Sequence, residues 1–271
     1  MYWEETRWKE VTAYIAKLVS HRRNVVAANN LYDVHYVSYF AGAEPDLVQN
    51  FCAYTGAHYN PVRASYLYAR RPNQPVDEYW SAPFEAHYAK LNATFRVFKL
   101  TELYKHYEYS DVAAHLGVVY LPYQVSLMSF FEQYTMGVPI FAPSLELLVK
   151  LHIDHHLVYD RTIGYMQMLS GSYLPRHPSY GGPPKLDPND DFSEESIRYW
   201  LSFSDFQQVP HVTHFASAEH LVETLHSMTT TQLITISDRM MQFNRQRLKR
   251  ILQYWRRRLL NIASYSPHRP H

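Results

Sequence analysis

The chain has 271 residues, of which 46% are apolar and 19% are charged, a balance that supports a buried core and argues against a disordered chain. Its net charge of +1 indicates no general preference for nucleic acid, and its one cysteine, Cys52, excludes an internal disulfide and a thiolate zinc cage. The 8 glycines form neither of the common phosphate-binding loops, and no apolar run reaches the ~18–20 residues of a membrane span. We therefore expect a soluble protein, cytoplasmic unless a longer parent protein carries a signal anchor.

The N-terminal part of the chain alternates between helical and strand-like patterns. Apolar residues recur at helical spacing over residues 4–20, and a short β-branched run over residues 24–28 is typical of a buried strand. Residues 32–40 are again helical in pattern, and residues 49–62 form an irregular link. We interpret residues 1–62 as the end or remnant of a first domain, followed by a link.

The central part predicts a sheet with helices between its strands. The predicted strands cover residues 65–69, 94–100, 118–121 and 138–142, and the predicted helices cover residues 84–92, 110–115 and 126–136. Strands that alternate with helices are typical of βαβ units around a parallel sheet. The fold class predicted for residues 63–170 is therefore α/β, with a doubly wound, mostly parallel sheet.

The C-terminal part begins with a loop and continues in helices. Residues 171–194 are rich in Pro and Gly and have no periodicity, which indicates a loop or linker. Closing helices and a flexible tail are predicted over residues 195–271. The helices cover residues 194–201, 218–225 and 237–262, and the last of them has the apolar stripe Met241, Leu248, Leu252, Trp255, Leu259 and Ile262.

The segment most informative about function runs from residue 111 to residue 148. Its turn follows the carboxyl end of a predicted parallel strand and leads into a helix, where free N–H groups and the helix dipole favour an anion. Ser126 is predicted to cap this helix, and Ser129 lies one turn further on. Glu132 lies two turns from the start of the helix, where its carboxylate could accept both hydroxyls of a ribose.

The spacing of this segment resembles the nucleotide-sugar-binding, C-terminal domain of GT-B-fold glycosyltransferases of the family 1 and family 4 type. In many retaining members a Glu is followed after seven residues by a second Glu, which opens a Glu-Ala-x-x-x-Gly-x-Pro run into the next strand. Glu132, Gly137 and Pro139 match that run. Gln124 stands where the first Glu is found, and Tyr123 stands where the family has Ser.

The resemblance implies a Rossmann-like domain and a hexosyl transfer from a nucleoside-diphosphate sugar (UDP or GDP) to an unknown glycan, protein or lipid acceptor, without a cofactor or a metal. Glu132 would hold the ribose, the backbone of residues 124–128 would bind the diphosphate, and Arg70 or Arg71 would compensate its charge. His115 is an additional catalytic candidate. Only about 60 residues precede this domain. The resemblance therefore implies a piece of a longer enzyme or a reduced relative.

Two other classes of protein compete with the transferase hypothesis. A non-catalytic nucleotide-binding or protein-interaction module is favoured by Gln124 and by the short first part. A metal hydrolase would use histidines and aspartates of residues 152–160, although H-E-x-x-H is absent. The last helix also carries a basic run, which could dock on anionic lipid or nucleic acid. We favour the alternative that it is a surface helix with its apolar stripe packed on the domain, and we expect no nucleic-acid partner. The run comprises Arg239, Arg245, Arg247, Lys249, Arg250, Arg256, Arg257 and Arg258.

Overall fold

The computed structural model describes residues 5–21, 23–69, 76–158 and 176–264. Two short strands, β1 (Ala27–Ala28) and β2 (Asp46–Leu47), pair with each other, and the main sheet contains β3 (Arg63–Ala69), β4 (Arg96–Lys99), β5 (His115–Tyr120), β6 (Ile140–Pro143) and β7 (Thr213–Phe215). The helices are α1 (Glu5–Ser20), α2 (Leu31–Ala41), α3 (Val76–Lys90), α4 (Leu100–Leu103), α5 (Tyr109–Ala113), α6 (Met128–Met136), α7 (Leu145–His155), α8 (Glu194–Leu201), α9 (Asp205–Gln208), α10 (Ala218–Ser227) and α11 (Thr230–Ala263), and a 3-10 turn spans Ala53–Thr55.

The main sheet is parallel throughout, with strand order β4-β3-β5-β6-β7. The chain therefore adds β4 on one side of β3 and then β5 on the other, so that the order of strands reverses between β3 and β5. This sheet confirms the predicted α/β class with a Rossmann-like, parallel arrangement. Open sheets of this kind bind ligands outside the carboxyl ends of their strands at such a reversal.

Each face of the sheet packs against its own hydrophobic cluster, because neighbouring residues of a strand point to opposite faces. One face presents Tyr66, Val119 and Phe141 to side chains of α2, α3, α7, α8 and α10. The other face presents Leu67 and Val118 to side chains of α6, α9 and α11. Both faces of the sheet are thus covered, as the nearly continuous apolar runs of its strands predict.

The helices predicted over residues 4–20, 32–40, 194–201 and 218–225 are confirmed to within a few residues. The predicted helix over residues 110–115 is wrong at its end, because α5 stops at Ala113 and His115 is the first residue of β5. Helix α11 begins at Thr230 rather than at residue 237, because Thr229 and Gln232 form a capping box. The structure also contains α7 and β7, which are not among the predicted elements.

Arg70 and Arg71 lie outside the described residues, as do residues 159–175 and the tail from residue 265. The last part of the predicted domain over residues 63–170 and the start of the predicted linker therefore have no structural description. Among the described helices, none is both long enough and apolar enough to cross a membrane.

Gly137 ends α6 and is where the chain turns back toward the sheet. Its φ is +79°, and a Cβ atom at this position would lie 2.8 Å from Ser237 Oγ and 3.0 Å from Met241 Cγ. We expect Gly137→Ala to lower the free energy of unfolding by about 2–3 kcal/mol, because left-handed backbone costs an alanine roughly 1–2 kcal/mol and the crowding adds to it. Urea denaturation measures this change.

Gly56 provides the matched control for Gly137. It has a similar φ of +60°, but an added Cβ would meet nothing within 4 Å. Gly56→Ala should therefore show the backbone cost alone. Equal losses for the two variants would show that α11 does not press on the end of α6.

Candidate functional site

The turn between β5 and α6 lies at the carboxyl edge of the sheet, next to the reversal of strand order. Its side chains Leu121, Val125 and Leu127 are buried, with exposed fractions of 1%, 7% and 6%. The carbonyl oxygen of Val125 accepts a hydrogen bond of 3.0 Å from the backbone N–H of Asp205, the first residue of α9. One side of the turn is thus covered by α9, and any ligand must approach from the other side.

Ser126 does not cap α6, so that prediction is wrong. The N-cap is Leu127, which makes no side-chain cap hydrogen bond, and the Ser126 hydroxyl lies beside the carboxyl group of Asp205. The Ser126 hydroxyl lies there because it is hydrogen-bonded to the buried carboxyl group of Asp205 on α9 and is therefore not available to cap α6.

The buried carboxyl group of Asp205 and the half-buried one of Asp33 lie near this turn. The pKa of Asp205 is raised to about 7, mainly by burial. The hydrogen bond with Ser126 and the charge of Arg247 act to lower this pKa, and the Asp33 carboxylate acts to raise it. Burial also raises the pKa of Asp33, although its hydrogen bond from Asn30 opposes the change. Near neutral pH the start of α6 is therefore bordered by groups that can carry negative charge, which disfavours a second anion.

Glu132 lies in the second turn of α6, and its carboxylate is surrounded by tyrosines. Its Oε1 atom accepts hydrogen bonds from the hydroxyls of Tyr54 (2.6 Å) and Tyr109 (2.9 Å). Its Oε2 atom has no hydrogen-bond partner among the described residues. Because Glu132 is only half-buried, a ligand hydroxyl can reach this free oxygen.

The residues around Glu132 form a group that we call the tyrosine cluster: Tyr54, Tyr107, Tyr109, Tyr120 and Tyr123. The hydrogen bond to Glu132 raises the pKa of Tyr54 and of Tyr109, and burial followed by the Glu132 charge raises the pKa of Tyr107. Burial raises the pKa of Tyr120, and electrostatic interactions with Tyr107, Glu132 and Tyr123 raise this pKa further. These four hydroxyls therefore keep their protons at physiological pH and remain hydrogen-bond donors.

Tyr120 connects the cluster to the first turn of α6. It is the last residue of β5, and its hydroxyl donates to Gln133 Oε1 at 2.8 Å and lies 3.4 Å from Ser129 Oγ. The structure thus brings together three of the predicted site residues, Glu132, Ser129 and Tyr123. Gln133 and the remaining four tyrosines are additions from the structure.

Two of the other predicted residues, Ser126 and His115, do not face this group. Gln124 lies half-buried in the turn, and Ser126 faces α9 instead of the cluster. His115 is at the amino end of β5, on the opposite edge of the sheet, where its ring nitrogens are hydrogen-bonded with Ser65 Oγ (2.8 Å) and Tyr104 Oη (2.9 Å). The catalytic hypothesis for His115 is corrected accordingly, since it lies a full strand away from the turn.

Arg247 is a buried cation that the sequence pattern assigns to the surface. It is 2% exposed, and its guanidinium lies over the rings of Phe51, Phe131 and Tyr134 at 5.3–5.4 Å. Its Nη2 atom donates to Asn244 Oδ1 at 2.9 Å, and burial lowers its pKa to about 10. Arg247 stays charged at neutral pH and is the cation that lowers the pKa of Asp205.

The described residues contain no group of three or more His, Cys, Asp or Glu side chains placed to hold a metal ion. His152, the first residue of the metal hypothesis, lies 3.4 Å from Asp191 through its Nε2 atom. Comparisons with protein-family models, with curated proteins and with solved structures found no match.

Proposed function

We propose that this chain binds a nucleoside-diphosphate sugar at the carboxyl edge of its sheet and transfers the hexosyl group to an acceptor without a metal. One observation carries the proposal: the Glu132 carboxylate accepts two hydroxyls on Oε1 and leaves Oε2 free on an accessible surface. A carboxylate has about four sites for hydrogen-bond donors, so the hydroxyls of a ribose can bind Oε2 or replace those of the tyrosines.

The surroundings of Glu132 support a sugar-containing ligand. Tyrosine rings present flat apolar faces and hydroxyl donors together, a combination that suits the apolar and polar surfaces of a sugar or nucleoside. The amino end of α6, one turn away, offers a diphosphate its free N–H groups and the helix dipole, and Asp33 and Asp205 oppose this only to the extent that they are ionised. Glu132, Gly137 and Pro139 also keep the spacing of the GT-B segment that they resemble.

Glu132→Gln tests this proposal through nucleotide affinity. Titration calorimetry with UDP, GDP, UMP and uridine should show binding of at least one nucleotide to the wild-type protein. We expect at least tenfold weaker binding to the variant, or about 1.4 kcal/mol, because the amide lacks the charge and one of the two acceptor oxygens.

Glu102→Gln is the control for this experiment. Glu102 is 66% exposed and pairs with Lys99 at 2.7 Å, away from the tyrosine cluster. Its substitution should leave nucleotide affinity unchanged. Equal affinities of the wild-type and Glu132→Gln proteins would contradict the assignment of Glu132 to the ribose.

A second function, that of a non-catalytic module, is favoured by Asp33 and Asp205. Their raised pKa values mark carboxyl groups beside the start of α6 that oppose a diphosphate once they ionise. Assays of sugar release from UDP and GDP donors separate the two functions. Nucleotide binding without turnover indicates a nucleotide-binding module, and absence of binding indicates a protein-interaction module.

A further inference from the structure

The C-terminal half of α11 contacts the body of the protein along one side only, through residues such as Tyr254 and Arg258. The first half of the helix packs through Leu233, Ser237, Met240 and Asn244, and the last buried residue is Arg247. The helix continues to Ala263, so roughly 24 Å of it lies beyond the last buried residue. The sequence predicts that the apolar stripe of this helix packs against the domain, but beyond Arg247 no residue of α11 is buried.

Large apolar side chains are exposed along this part of the helix. Leu252 is 60% exposed, Trp255 40%, Leu259 60% and Ile262 42%. Their spacing of three and four residues places them on one side of a helix. A contiguous apolar stripe of this kind marks an interaction surface, in contrast to single exposed apolar residues.

Exposed basic residues flank this apolar stripe. They are Arg245, Lys249, Arg250, Arg256 and Arg257. From Arg239 to the end of α11 the sequence contains no acidic residue. Arg258 and Tyr254 instead bind the Asp46 carboxylate, at the end of β2, and so determine which side of the helix faces the protein.

We propose that the segment of α11 from Leu248 to Ala263 docks in the plane of an anionic lipid surface. A helix with an apolar stripe and basic flanks lies at the boundary between headgroups and acyl chains, with Trp and Leu inserted and Lys and Arg near the lipid phosphates. Nucleic acid alone would leave the stripe in water. This docking does not depend on the nucleotide site.

Sedimentation of the full chain with vesicles tests the proposal. Vesicles of phosphatidylcholine with about 30% phosphatidylserine should bind the protein at least tenfold more tightly than vesicles of phosphatidylcholine alone, and about 0.5 M salt should weaken this binding. The variants Leu252→Gln/Leu259→Gln and Arg256→Gln/Arg257→Gln should each bind at least tenfold more weakly. All four positions are exposed, so both proteins should unfold at the wild-type temperature.

Two control variants remove similar groups elsewhere. Val62→Gln replaces an apolar residue that is 72% exposed, and Lys17→Gln/Lys185→Gln removes two exposed positive charges. Both should bind vesicles as the wild-type protein does. Absence of vesicle binding, or equal binding by Leu252→Gln/Leu259→Gln, would overturn the proposal. Self-association that those two substitutions abolish, in a protein that does not bind vesicles, would assign the stripe to a second copy of the chain.

Discussion

Trp200→Ala should lower the free energy of unfolding by about 3–5 kcal/mol, the usual cost of removing a buried tryptophan. Trp200 is fully buried in α8, and its ring lies 5.5 Å from that of Tyr32 and 5.7 Å from that of Tyr39. Its indole N–H donates to the carbonyl oxygen of Leu186 at 3.1 Å. The substitution removes the packing between α2 and α8 and leaves that carbonyl group unpaired, so urea denaturation should show the loss directly.

Trp255→Ala serves as the control, because Trp255 is 40% exposed on α11. Its effect on the free energy of unfolding should stay within about 0.5 kcal/mol. Trp200→Phe should fall between the two, since it keeps a ring but loses the hydrogen bond. A loss below about 1 kcal/mol for Trp200→Ala would show that α2 and α8 do not share a core.

The wild-type protein should lose about 3 kcal/mol of stability between about pH 5 and about pH 8 through Asp205 alone. The pKa of this group rises from its ordinary value of 3.8 to about 7 on folding, mainly because of burial. Between these two values the folded state binds more protons than the unfolded state. Stability from this group is therefore complete below the lower pKa and is lost as pH rises toward 7.

Asp205→Asn should remove this dependence, because an amide does not titrate. Urea denaturation of both proteins at several pH values measures the difference, with exposed Asp238→Asn as the control. The variant should become the more stable protein above about pH 7. Parallel curves for the wild-type and Asp205→Asn proteins would show that the carboxyl group is not buried as described.

The sequence predicts the main sheet well because three of its five strands contain apolar runs between helical segments, and a fourth, β4, lies in a run of alternating polarity. The fifth, β7, is a three-residue strand with a single buried side chain, Phe215, and it pairs with β6. Helix α3 extends over residues with no clear periodicity and contains Pro83, which ordinarily indicates a helix boundary. The local sequence pattern therefore predicts neither β7 nor the full length of α3.

The candidate site was predictable only where one short segment supplies its residues. Ser129 and Glu132 lie on the same helix, and their spacing along the chain is enough to place them together. Tyr54 reaches Glu132 across 78 positions, and the chain has 24 tyrosines with no feature that distinguishes this one.

The burial of Arg247 was also not predictable from the sequence, because Arg247 continues a second, buried stripe of α11. That stripe runs through Leu233, Ser237, Met240 and Asn244. Because two of its four members are polar, it does not produce an apolar periodicity in the sequence. The predicted apolar stripe is present on the helix, but from Leu252 onward its side chains are exposed.

The bond from Arg258 to Asp46 joins positions that are 212 residues apart. A ribosome adds about 5–20 residues per second, so roughly 10–40 s separate the emergence of β2 from that of its partner on α11. For about the first three quarters of this interval α2 also lacks Trp200, whose ring packs against Tyr32 and Tyr39. We therefore expect the first sixty residues to lack part of their stabilising contacts while the chain is being made.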